Sequence, residues 1–289
     1  MTNPLFTGCC TALVTPFLDR KVNYPMLQQL LLRQIQAGIE AVVICGTTGE
    51  SATLTDTEKL ELFRCAKDYA DDRLCIIAGT GSNDTAHAIS LSLQAQDAGA
   101  DALLVVSPYY NKATPEGLFR HFLSIAHAVK IPIILYNVPS RTGVDIPVSV
   151  YQRLARIPNI VGVKEASTDI AKLLKIRQCC PDSFSVWSGN DDMTVAFMSL
   201  GAKGVISVAG NVVPEKMQAM TDAALDGDFD SAAALQLDLL PLTDGLFREV
   251  NPIPVKAAMK IIGFDCGGCR LPLTEASQET FDLLRQILT

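Results

Sequence analysis

Eight short apolar runs recur along the chain, and they constrain its fold more than any other feature. They are "CCTALVTP" (9–16), "AVVICG" (41–46), "LCIIAG" (74–79), "DALLVVSP" (101–108), "IPIILYN" (131–137), "IVGVKEA" (160–166), "FSVWSG" (184–189) and "KGVISVAG" (203–210). Their starts lie 32, 33, 27, 30, 29, 24 and 19 residues apart. That spacing leaves room for one helix between successive runs. "NYPMLQQLLLRQIQAG" (23–38) carries apolar residues at helical spacing and ends on Gly38, a stop signal. "TDTEKLELFRCAKDYA" (55–70) opens on Thr55 with Glu58 three residues on, a capping-box pattern. "NDTAHAISLSLQAQDAG" (83–99) repeats the scheme and stops at Gly99.

Strands that are apolar throughout suit a parallel sheet covered by helices. Eight such units in 289 residues predict an α/β fold, a (β/α)8 TIM barrel. A doubly wound sheet would place a glycine-rich turn after the first strand, and "LVTPFLDRK" has none. After the eighth run, "PEKMQAMTDAALDG" (214–227) reads as the barrel's last helix. "DFDSAAALQLDLLPLTDGLF" (228–247), "PIPVKAAMKIIGF" (252–264) and "TEASQETFDLLRQIL" (274–288) read as further helices. The expected division is a barrel over 1–225 and a small helical C-terminal extension over 226–289.

Charge and cysteine usage narrow the function classes. Lys and Arg number 24 against 31 Asp and Glu, a net charge of −7 with no long run of either sign. A general nucleic-acid binder needs a positive surface, so none is expected here. No apolar run reaches the roughly 18 residues of a membrane span. "MTNPLFTGCC" lacks the charged and apolar regions of a signal peptide. Nine cysteines, an odd and scattered set, fit reduced thiols and a cytoplasmic location better than a disulfide framework. "CGGC" at Cys266–Cys269 lacks the second ligand pair of a structural zinc site. His87, His121 and His127 all fall on expected helices, so no metal centre is predicted. A serine-hydrolase elbow is absent, and no Gly-Lys-Ser/Thr follows "GTTGES" (46–51) to make a phosphate loop.

Barrels of this type build their sites at the C-terminal ends of the strands. Those positions hold "GTTGES", "SPYYN" (107–111), "YNVPSRTG" (136–143), Lys164 and "SGND" (188–191). Lys164 stands inside an apolar strand. Alternation puts it on one face with Gly162 and Ile160, and Glu165 on the other, so Glu165 is not its direct partner. One reading is an amine that snorkels to water or forms a structural ion pair. The other is an amine desolvated inside the barrel, a nucleophile able to form an imine with a carbonyl, with space beside it at Gly162. Tyr136 ends the neighbouring strand, where a phenol can relay protons. Thr47 and Thr48 offer hydroxyls, and Arg141, on the loop after the fifth strand, offers a guanidinium for a carboxylate.

The ordered set "GTTGES", "PYYN", "YNVPSRTG", "VKEA", "GVISV" and "NPIPVK" spans almost the whole chain and strongly resembles the dihydrodipicolinate synthase family of class I aldolase-like lyases. The resemblance implies condensation of pyruvate with L-aspartate 4-semialdehyde, in lysine and diaminopimelate biosynthesis, without metal or organic cofactor. It implies Lys164 as the imine-forming residue and Tyr136 as the proton relay, with Thr47 and Tyr110 as the relay's partners. Thr48 matches the residue that holds pyruvate's carboxylate, and Arg141 the one that receives the semialdehyde's. Gly189 and the backbone of Ile206 match positions close to substrate. The family pattern also implies a homotetramer, a dimer of dimers, with Tyr110 reaching into a neighbouring subunit's site.

An effector pocket for lysine in some relatives corresponds to Ser51, Ala52, Asp56, Lys59, Asn83, His87 and Tyr109. Here Lys59 puts a cation where sensitive relatives have a neutral residue, and His87 replaces a glutamate. Weak or absent inhibition by lysine is therefore expected, since a cationic effector would meet Lys59 and miss its carboxylate. The nearest alternatives are an N-acetylneuraminate lyase or a 2-keto-3-deoxy-sugar-acid aldolase of the same superfamily, which would keep the lysine and tyrosine. A catalytically silent barrel is the alternative of a different class.

Overall fold

The computed structural model describes residues 4–289. Eight parallel strands close a barrel: β1 (Gly8–Ala12), β2 (Ala41–Ile44), β3 (Cys75–Gly79), β4 (Ala102–Val106), β5 (Ile133–Asn137), β6 (Ile160–Glu165), β7 (Ser185–Ser188) and β8 (Gly204–Ser207). Seven of the eight apolar runs contain one of them whole, and β1 starts one residue before its run, at Gly8. Consecutive strands pair in chain order, and β8 returns to β1 with Cys10 opposite Ile206.

The helices are α1 (Tyr24–Gln36), α2 (Asp56–Ala70), α3 (Thr85–Asp97), α4 (Pro115–Ala128), a single turn α5 (Pro139–Thr142), α6 (Val148–Leu154), α7 (Ile170–Cys179), α8 (Thr194–Ser199) and α9 (Pro214–Leu225). After them come α10 (Phe229–Leu246), α11 (Ile253–Ile261) and α12 (Gln278–Leu288). The signals read from sequence act locally. Thr55 Oγ1 accepts from the Glu58 N–H at 3.2 Å, and Glu58 accepts from the Thr55 N–H at 2.9 Å, closing the capping box. Gly38 and Gly99 follow α1 and α3 in the left-handed conformation that ends a helix.

The pleat sorts the strand side chains into two cores. Val42, Ile44, Ile76, Leu103, Leu135 and Val163 face outward under the helices. Ala41, Val43, Ile77, Leu104, Ile134 and Trp187 fill the barrel. One strand departs from simple alternation. Ile133 pairs with Ile160, but Ile134 pairs with Gly162, so β6 carries one extra residue. This bulge turns Ile160 into the outer core and lets Val161 pack against the interior. Ile160 thus does not share a face with Lys164, contrary to the alternation read from sequence.

Helices α10 to α12 pack on one another and on α8 and α9. The stretch 251–270, which includes α11, returns to the C-terminal end of the barrel and touches the loop after β2. Among the described residues no helix is long and apolar enough to cross a membrane. No group of three or more His, Cys, Asp or Glu among them could hold a metal ion. Cys266 is buried and Cys269 half-buried, and both thiols are free. Burial pushes Cys266 up to about 12 and Cys269 up to about 11, which disfavours the thiolate that metals and redox partners need.

Candidate active site

Tyr136, Lys164 and Trp187 stand in one register across β5, β6 and β7, all facing into the barrel. Lys164 is 5% exposed and Tyr136 6%. The Lys164 Nζ lies 4.6 Å from the centroid of the Tyr136 ring. Two buried carboxylates lie on neighbouring elements, and both are engaged elsewhere. Glu165 faces outward and accepts from Asn137 and Tyr151. Asp191 Oδ2 accepts the N–H groups of Val208 and Ala209 at 3.0 and 2.9 Å. Burial raises the Asp191 carboxyl above its ordinary range, while those hydrogen bonds and the Lys164 charge pull it back. The Lys164 side chain is thus largely buried beside a phenol ring.

The space at Gly162 has a different owner from the one read from sequence. A Cβ there would meet the Ser185 carbonyl oxygen at 2.1 Å and the Trp187 ring at 2.8 Å. The missing side chain admits the β7 backbone and Trp187, which stacks on Phe6 with ring centroids 4.8 Å apart. It does not hold room open for a ligand. Gly189 is likewise constrained, since a Cβ there would lie 2.5 Å from that of Ala166. Ile206 is fully buried in the barrel interior.

The loop after β2 carries the hydroxyls. Thr48 is buried and Thr47 half-buried. Asn251 Nδ2 donates to Thr48 Oγ1 at 3.0 Å across 203 positions of sequence. Two non-glycine residues of this loop occupy the left-handed region, Cys45 at φ +57° and Glu50 at φ +55°. Such backbone costs about 1–3 kcal/mol and persists only where the surroundings hold it. Glu50 is held by a buried ion pair with Lys256 at 2.5 Å and by the Arg270 N–H at 2.8 Å. Arg141 lies on the single-turn helix α5 rather than on an irregular loop, and its Nη2 donates to the Asn251 carbonyl at 3.2 Å. Asn251, Lys256 and Arg270 are contributions that sequence reasoning missed. "NPIPVK" was one of the family motifs, but nothing local says which loop it touches.

Tyr110 is not brought together with Tyr136 and Thr47 in the single chain. It is 89% exposed, with φ +71°, and stands out from the surface. Tyr109 beside it is 40% exposed. Of the positions that match the effector pocket of some relatives, Asp56, Lys59 and His87 meet. Asp56 takes His87 Nε2 at 2.9 Å and Lys59 Nζ at 3.7 Å. Ser51 and Ala52 form the turn just before α2, and the Asn83 carbonyl accepts from Asn111. Two cavities of about 360 and 350 Å³ flank the 265–269 segment, but neither is lined by Lys164 or Tyr136, so the chemistry is not placed there.

The model of the Dihydrodipicolinate synthetase family matches residues 5–289. The chain belongs to that family. It is 48% identical to the 4-hydroxy-tetrahydrodipicolinate synthase of Acetivibrio thermocellus over 288 residues, covering 100% of this chain and 98% of that one. The solved dihydrodipicolinate synthase of Aquifex aeolicus superposes with a TM-score of 0.97 at 45% identity, over 98% of this chain and 97% of that one. A monomeric dihydrodipicolinate synthase variant superposes with a TM-score of 0.96 at 39% identity, over 98% and 96%. The barrel fold is shared with these solved structures over almost the whole chain.

Proposed function

We propose that this chain is a lyase that condenses pyruvate with L-aspartate 4-semialdehyde, in lysine and diaminopimelate biosynthesis, through an imine on Lys164. The observation that carries this reading is the largely buried Lys164 side chain lying over the Tyr136 ring, close enough to Asp191 for its charge to be felt there yet in no ion pair among the described residues. The family membership supports it. The amine adds to the pyruvate carbonyl and water leaves. The imine then acts as an electron sink, the methyl group loses a proton, and the enamine attacks the aldehyde. The product's own amine closes the ring and releases Lys164. Tyr136 moves protons in imine formation and breakdown, aided by Thr47. Thr48 holds pyruvate's carboxylate, with its hydroxyl oriented by Asn251. Arg141 receives the semialdehyde's carboxylate. The imine supplies the electron sink, so the reading calls on no metal or organic cofactor.

Tyr110 completes the relay of a second copy, in a homotetramer of two tight dimers. Its exposure and left-handed backbone, within its own chain, support that placement. Sedimentation of the purified chain tests it, and a catalytically competent monomer would sink it.

Incubation with pyruvate followed by borohydride, with the adduct located by mass, tests the imine. An adduct at Lys164 but no turnover with the semialdehyde would move the reading to the sugar-acid aldolases. Arg141→Ala separates the substrates further. Loss of a charge-assisted contact is expected to lower kcat/KM for the semialdehyde by about 10- to 100-fold. Pyruvate trapping should stay near native, and an equal loss of both would mean Arg141 has another role.

Lysine is expected to inhibit weakly or not at all. Lys59 is buried beside the candidate pocket, and Asp56, the carboxylate there, is already shared with His87. A cationic effector would have to displace those partners. Half-inhibition by about 1 mM lysine in a coupled assay, an affinity of about 4 kcal/mol, would refute this.

A further inference from the structure

One register step beyond Tyr136 and Lys164 stand Asn137 and Glu165, paired across β5 and β6 and facing out of the barrel. Both are fully buried. The Glu165 carboxylate takes donors on each oxygen. Asn137 Nδ2 at 2.7 Å and the Ser167 N–H at 3.0 Å bond Oε1. The Tyr151 hydroxyl at 3.1 Å and Lys172 Nζ at 3.6 Å serve Oε2. Asn137 uses its whole carboxamide. Its Nδ2 also donates to Asp145 at 2.8 Å, and its Oδ1 accepts the Ile146 N–H at 3.0 Å. Lys172, 5% exposed, pairs with Asp145 as well and lies 5.5 Å from the Tyr151 ring centroid.

This network joins β5, β6, α6, α7 and the segment that follows the Arg141-bearing turn. It lies on the helix side of the sheet, away from the barrel interior. Well-packed apolar side chains would hold such a site together at least as well as buried charges do. A hydrogen-bonded network does something that apolar packing does worse, which is to fix orientation. Neighbouring residues on a strand share a peptide unit, so locking the Asn137 and Glu165 side chains on one face locks the backbone from which Tyr136 and Lys164 project on the other.

We propose that Asn137 and Glu165 are positioning residues, which set the mutual geometry of Tyr136 and Lys164 and, through Asp145 and Ile146, the place of Arg141. This rests on the imine reading above. The groups facing Asn137 are Glu165 on β6, Asp145 on the following segment, Lys172 on α7 and, beyond Glu165, Tyr151 on α6.

The test uses the full chain, with thermal melting, pyruvate trapping and steady-state kinetics on each variant. Asn137→Ala is expected to melt cooperatively yet lose about 100-fold in kcat/KM, the scale of a misplacement of about 1 Å in the site. Asn137→Asp adds a third carboxyl beside Glu165 and Asp145. Like charges raise its pKa, and once protonated it can restore one of the two hydrogen bonds that the amide donates. Its activity relative to native should therefore rise about tenfold as pH falls from about 8 to about 6, whereas the ratio for Asn137→Ala stays flat. If neither Asn137 variant folds, Tyr151→Phe decides, since it keeps the ring and removes one hydrogen bond to Glu165. It is expected to lower kcat about tenfold with a native melt.

Native kinetics in Asn137→Ala, a flat pH ratio in a folded Asn137→Asp, or native kcat in Tyr151→Phe would each overturn the proposal. Failure of the native chain to trap pyruvate would overturn the imine reading and this proposal together. Trapping by the native chain with unaffected variants would overturn this proposal alone.

Discussion

Lys164→Ala is expected to abolish the trapped pyruvate adduct and to lower kcat on the order of a million-fold, the scale seen when a catalytic nucleophile is removed. The same change is expected to leave thermal stability equal or higher. The two outcomes follow from one observation. Lys164 is 5% exposed, faces the Tyr136 ring and forms no ion pair with a carboxylate among the described residues. Burying a polar group without a matched partner costs free energy, so the folded state gains nothing from keeping this amine. A functional site carries such a cost and recovers it in chemistry. A structural lysine would behave in the opposite way. Breaking a buried ion pair costs about 3–5 kcal/mol, because a charge is left uncompensated. Trapping by mass and a melting curve on the same variant therefore discriminate the two readings left open by the sequence. A persistent adduct, or a melting temperature lowered as for a broken ion pair, would show that Lys164 is structural.

Tyr136→Phe has the next largest expected effect. The ring that lies over Lys164 is kept, so packing at this 6% exposed position is kept with it. Only the hydroxyl is lost, and with it proton transfer in forming and breaking the imine. General acid–base catalysis of this kind contributes about 100- to 10,000-fold, so kcat is expected to fall about 1,000-fold. The adduct should still accumulate over long incubation, more slowly than in the native chain. Near-native rates of trapping and turnover would place the proton relay elsewhere.

Much of the fold is local in origin and was therefore legible. The pleat makes strand side chains alternate, and the (β/α)8 order follows from eight apolar runs with helices between them. Thr55 and Glu58 close their cap within four residues of chain. The site was legible in part for the same reason. Active residues of a barrel cluster at strand ends, so "GTTGES", "YNVPSRTG" and Lys164 could be assigned to one mouth before any distance was known.

The remainder depends on contacts between distant segments. The bulge at Val161 arises from the pairing of β6 with β5, and it reverses the face of Ile160 against strict alternation. Gly162 is small because Trp187 and the Ser185 backbone, on another strand, need its space. Asn251 reaches Thr48, and Arg270 reaches Glu50, across 203 and 220 positions, so no local pattern pairs them. The sequence by itself determined the barrel, its mouth and the amine that the mouth presents, because hydrophobic period and strand order are encoded residue by residue. Only the tertiary structure decided what surrounds that amine. Barrel closure chooses the neighbours of each strand, and the returning C-terminal segment supplies the partners that hold the loop after β2.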